Sequence, residues 1–146
     1  MTTSADDGAD HYVVLQRKSR LFPAITVAAY RLSRLPIWRG RDAVDAAPVF
    51  DSMEDACMQT AFFCSEELNA ALERLLEAAR TWAEIVRTIQ VNSRPGFGGV
   101  IAELFQEDEE SGRRRLDRAI TTFVTEARAD LGIEGGWAPP HPSAAD

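Results

Sequence analysis

The chain is poor in the residues that ordinarily carry chemistry. Its two histidines, His11 and His141, both lie in or beside the terminal stretches. A di-metal site of the kind built into helical bundles uses Glu-x-x-His pairs on its helices, so it has no histidine to draw on here. A Ser/His/Asp or Cys/His relay would need a terminal segment to fold back onto the core. The two cysteines, Cys57 and Cys64, are seven residues apart. That spacing places them on one side of a helix and does not match the two-residue gap of a redox or zinc pair. They read as reduced thiols packed as small hydrophobes, in keeping with a cytoplasmic protein. With no catalytic, cofactor or metal-ligating signature, the expectation is a non-enzymatic protein that uses no cofactor.

Long apolar runs are missing too. The most apolar stretch, residues 21–38, is cut by Arg31 and Arg34, whereas a helix that crosses a bilayer needs about 20 predominantly apolar residues. The first ten residues carry Asp, Ser and Thr in place of a basic segment followed by an apolar core, so they do not read as a signal peptide. Residues 1–10 read as a disordered lead. Residues 135–146, with Gly135, Gly136, Pro139, Pro140 and Pro142, read as a flexible tail. Residues 11–134 read as one domain, since 146 residues at 45% hydrophobic content can bury a sizeable core without disulfides or metals.

The third absence is of acid. Residues 11–41 hold seven basic side chains (Arg17, Lys18, Arg20, Arg31, Arg34, Arg39, Arg41) and no Asp or Glu, although the net charge is −7. Residues 42–79 invert the balance, with nine acids against Arg74 alone. Charge segregated in this way means that two segments pair inside the fold or that one of them meets an outside partner. A pI near 4.9 argues against general nucleic-acid binding, because a globally acidic surface is repelled by phosphates.

What is present is helical periodicity. Leu68, Leu72, Leu75, Ala79, Trp82, Val86 and Ile89 alternate spacings of four and three, a coiled-coil-like seam on a helix over 66–91 with Ser65 as its N-cap. Phe50, Met53, Cys57, Ala61 and Cys64 predict a helix over 52–64, with Asp51 and Ser52 in capping positions. Leu21, Ile25, Ala28, Leu32 and Leu35 predict one over 19–35, with Pro23 in its first turn and Pro36 ending it. Leu116, Ile120, Phe123, Ala127 and Leu131 predict a fourth over 109–131, with Gly132 just past its end. A short separate helix is expected near 100–106, with Gly112 marking a kink. Residues 123–132 resemble the closing helix of many small bacterial proteins, which supports an all-α reading and nothing finer. The expected fold is therefore all-α: a bundle of four main helices plus a short one, with disordered termini.

Three groups of residues are candidates for function. Arg20, Arg31 and Arg34 fall within about 60° of one another on a helix and form a basic stripe beside the apolar seam. It suits an anionic membrane surface or polyanion, or internal pairing with Glu66, Glu73 or Glu77, and the internal pairing is the preferred reading. Phe62, Phe63, Trp82 and Phe123 could line an apolar cavity for a small ligand or lipid. The seam over 68–89 could support homo-oligomerisation. Arg94 to Gly99 is a Gly-rich loop without the Lys and Ser/Thr of a P-loop, and reads as an ordinary connection. Asp51, Glu54 and Asp55 read as capping and solvated carboxylates, and Arg113, Arg114 and Arg115 as neutralised by the acids at 107–110. The leading expectation is a protein that binds a protein partner or itself. Integral membrane insertion is excluded, nucleic acid is disfavoured and peripheral membrane contact stays open.

Overall fold

A computed structural model describes residues 3–135, 137 and 138. Its elements are α1 (Thr3–Ser33), β1 (Trp38–Arg39), β2 (Asp42–Ala43), α2 (Ala47–Ala61), α3 (Glu66–Asn92), a 3-10 turn (Phe97–Gly99) and α4 (Glu103–Asp130). The all-α bundle of four main helices is what the apolar spacing predicts. α3 packs most extensively on α4, and α1 on α2 and α4, while α2 and α3 meet less. One core runs through all four, with Ile25, Leu32, Met53, Leu75, Trp82, Ile89, Leu116 and Phe123 each inaccessible to solvent.

α1 starts at Thr3 instead of near residue 19, so most of the stretch expected as a disordered lead continues the same helix. Pro23 consequently sits in the helix interior, where it removes the bond to Ser19 and costs about 3 kcal/mol. Packing offsets that cost. Leu21, Phe22, Ile25 and Ala29 are buried around the exposed proline ring. Upstream, half-buried Val14 and Lys18 extend the inner face at helical spacing, and Lys18 Nζ is 2.7 Å from Asp130 Oδ2 on α4.

α2 begins at Ala47, five residues before the expected start, with Pro48 in its first turn. Asp45 Oδ1 accepts the Ala47 N–H at 3.0 Å, so Asp51 and Ser52 lie inside the helix and cap nothing. α3 matches its prediction closely: Ser65 is the N-cap and its hydroxyl oxygen accepts the Leu68 N–H at 3.2 Å.

The helix expected near 100–106 and the one expected over 109–131 are a single helix, α4. Gly112 is buried in its middle and serves a close approach, not a break: a Cβ there would stand 2.6 Å from Ile85 Cδ1 and 3.2 Å from Trp82 Cε3 on α3. α4 ends in a Schellman motif, with Gly132 at φ +78 and the Ile133 N–H donated to Arg128 O at 2.8 Å.

The connection between α1 and α2 holds a small antiparallel hairpin that no sequence pattern predicts, with Trp38 opposite Ala43 and Arg39 opposite Asp42. Gly40 turns it at φ +67. Gln90 of α3 anchors it by donating to Ile37 O (2.9 Å) and Val44 O (2.8 Å). The expected C-terminal tail lies mostly outside the described residues; Trp137, within it, packs against the core.

Candidate functional site

The four aromatics expected to line one cavity are not brought together. Trp82 and Phe123 are fully buried core residues, whereas Phe62 is 88% exposed and Phe63 is half-buried at the end of α2. Phe123 meets Phe22 edge to face at 6.0 Å between ring centroids. The seam on α3 is spoken for as well: all seven of its residues from Leu68 to Ile89 are buried inside the monomer. It closes the bundle and leaves nothing for a second copy.

Trp82 instead takes part in a junction that joins three helices. The last carbonyls of a helix have no partners within it, and buried ones must find them elsewhere. Trp82 Nε1 donates to Leu32 O at 2.9 Å, and the Arg113 guanidinium donates to Ser33 O. That guanidinium also lies 4.7 Å from the Trp82 ring centroid and pairs with Glu109 Oε1 at 2.6 Å. A cation at the C-terminus of α1 complements the helix dipole. The pairing of Arg113 with the acids at 107–110 was legible from the i, i+4 spacing to Glu109; its capping of α1 was not, because those residues are far apart in sequence.

The basic stripe faces outward. Arg20, Arg31 and Arg34 are all exposed, on the side of α1 opposite Ile25, Ala29 and Leu32, and the stripe runs about 21 Å along the helix. Among the described residues none of the three has an ion pair: Glu77 bonds Arg115 of α4 (3.2 Å) and Glu54 bonds Arg80 of α3 (3.6 Å). The expected internal pairing with Glu66, Glu73 or Glu77 is therefore absent. The reason is geometric, since α1 turns its apolar face to the bundle and barely touches α3. Arg34 lies over its neighbour Tyr30, 5.1 Å from the ring centroid. Val13 (52% exposed) and Val27 (49%) fall in the same stripe.

An open groove of about 590 Å³ lies where α2 and α3 diverge, lined by Val44, Ala46, Phe50, Ala83, Val86 and Val91, with Arg80 and Arg87 among its charged members. Arg80 sits 6.0 Å from the Phe50 ring centroid. No cluster of three His, Cys, Asp or Glu side chains suited to a metal occurs among the described residues. His11 is exposed, and His141 lies outside the described residues. Asp55 accepts from Gln59 Nε2 at 3.0 Å.

The thiols are free. Burial pushes Cys57 up to about 12, with Glu54 and Cys64 adding to it. Burial and then Asp130 push Cys64 up to about 11, against an opposing effect of Lys18. Neither is a thiolate near neutral pH, so neither is an activated nucleophile.

No helix among the described residues is long and apolar enough to cross a membrane. No protein-family model, no curated protein and no solved structure matches the chain.

Proposed function

We propose that this protein acts without catalysis, as a binding module that docks an acidic protein partner on the outer face of α1. The observation that carries the reading is the stripe of Arg20, Arg31 and Arg34, exposed and without an ion pair among the described residues. Guanidinium groups recognise carboxylates in a bidentate, planar geometry. Val27 adds apolar contact between them, and Val13 extends the stripe toward the start of α1. On a molecule of net charge −7, a basic patch steers an acidic partner to one place. A long polyanion that wraps round the molecule would be repelled by the remaining surface, whereas a protein need cover only the patch.

A photo-crosslinking residue in place of Val27, carried by the full chain in its native host, tests this. A discrete adduct is expected, and R20E/R31E/R34E should reduce its yield by about tenfold or more. R74E/R118E, exposed arginines on α3 and α4, should leave it intact. An adduct pattern indifferent to the three α1 arginines would remove the proposal.

A further inference from the structure

A second surface lies at the end of the bundle, where the hairpin meets the connection from α3 to α4. Phe97 there is fully exposed, at 101%, and Val100 is 57% exposed. The backbone that carries the ring is nonetheless fixed in shape. The Gly99 N–H is donated to Gly96 O (3.0 Å) and the Gly96 N–H to Val100 O (2.8 Å). Gly98 and Gly99 take φ of +71 and +80, conformations that β-carbon-bearing residues rarely adopt. The turn also rests on the hairpin: a Cβ at Gly99 would lie 3.5 Å from Trp38 O and 3.9 Å from Gly40 O. The fold thus fixes a turn that presents one exposed phenyl ring on a tip.

The same docking gathers charge that is scattered in sequence. Arg94 leads into the turn, and Arg39 and Arg41 belong to the hairpin on which Gly99 rests; all three are exposed and none is in an ion pair among the described residues. Residues 86–102 contain no acid. The acids nearest in sequence are Asp42, opposite Arg39 in the hairpin, Asp45, which follows the hairpin and accepts the Ala47 N–H, and Glu103, the first residue of α4. Leu104 is also 82% exposed, but Glu103, Glu107 and Asp108 surround it in sequence and separate it from the basic tip.

We propose that this end docks on an anionic lipid bilayer, with Phe97 entering the interface and Arg41 and Arg94 on the headgroups. A lone ring on a tip fits a deformable apolar medium, and guanidinium groups around it fit a layer of phosphate and carboxylate charge. This surface is separate from the α1 stripe and goes beyond the protein-binding role.

Flotation of the full chain with vesicles tests it, using phosphatidylcholine alone and phosphatidylcholine with phosphatidylserine. Binding is expected only with phosphatidylserine and should weaken with salt. R41Q/R94Q should weaken it about 25-fold, at about fivefold per arginine. F97S should weaken it about tenfold while the melting temperature stays unchanged, because the ring supports nothing in the fold. In an F97W variant, brominated lipid should quench the new indole. The proposal is overturned by no binding at low salt, by F97S binding as well as the unaltered chain, or by F97S dissolving a dimer seen in light scattering. It is overturned as well if R20E/R31E/R34E abolishes vesicle binding and R41Q/R94Q does not. Failure of vesicle binding leaves the Val27 adduct unaffected, so the two proposals stand or fall separately.

Discussion

Replacing Gly112 by alanine sets two effects against each other, and their difference decides what this glycine is for. Alanine is favoured over glycine inside a helix by about 1 kcal/mol. The new Cβ would, however, stand 2.6 Å from Ile85 Cδ1 and 3.2 Å from Trp82 Cε3. The Ile85 methyl ends a flexible, half-buried side chain and can rotate aside. Trp82 cannot: it is 0% exposed, its indole N–H is held by Leu32 O, and Arg113 is stacked on it. Overpacking of this kind costs about 1–3 kcal/mol, so the net expectation is a destabilisation of about 1 kcal/mol. Urea unfolding followed by far-UV circular dichroism measures it, provided the slope with denaturant is unchanged. Ile85→Val removes the mobile methyl but leaves the indole in place, so in that background Gly112→Ala should still destabilise by about 1 kcal/mol, with little coupling. A Gly112→Ala variant more stable than the unaltered protein by about 1 kcal/mol would refute the close-approach reasoning, because that is what a glycine serving only as a bend would show.

Arg113→Met keeps the length of the side chain but leaves Ser33 O and Glu109 without their donor, and should cost about 2–3 kcal/mol. Arg114→Met, at an exposed neighbour, should change stability by less than about 0.5 kcal/mol; equal effects in denaturant titrations would dissolve the proposed three-helix junction. The raised thiols, about 12 for Cys57 and about 11 for Cys64, make stability fall with rising pH. An unfolded thiol ionises near about 8.5, so the unfolded chain loses these protons first and binds fewer than the folded one from about pH 8.5 upward. Urea midpoints should therefore drop more steeply between about pH 8 and pH 10.5 in the unaltered protein than in C57A/C64A, and parallel curves would contradict the burial of the thiols.

The helices with the widest apolar faces were the most legible. α3 could be read almost residue for residue, because Ser65, two acids and a three-heptad seam agree on one start and one face. Boundaries failed where a residue with two possible roles was given the wrong one. Pro23 suits a first turn by its local chemistry, although tertiary packing carries α1 through it. Asp51 and Ser52 resembled caps, but Asp45 supplies the bond that starts α2. Gly112 looked like a kink and is a contact. The hairpin has no signature in the sequence, because two-residue strands carry no periodicity; Gln90, far along the chain, anchors it.

The candidate sites divide in the same way. The angular clustering of Arg20, Arg31 and Arg34 followed from helix geometry alone. Whether carboxylates neutralise them depended on which helix lies beside α1, and the acidic α3 turned out to bond its ion-pairing glutamate, Glu77, to α4. Phe62, Phe63, Trp82 and Phe123 are all aromatic residues on helices, yet only the packing separated two core rings from an exposed one.

By itself the sequence determined the all-α class, the buried face of α3 in full and those of the other three helices in part, the Ser65 cap, the Gly132 stop and the arginine stripe. These are local consequences of periodicity, capping chemistry and helix angle, and they need no knowledge of neighbours. Only the tertiary structure decided that the α3 seam is consumed internally, that Arg113 and Trp82 cap α1, and that the glycine turn after α3 comes to rest against the hairpin. Each of those depends on which surfaces meet across long sequence separations, and burial energy, being non-directional, assigns such partners only once the whole core has been packed.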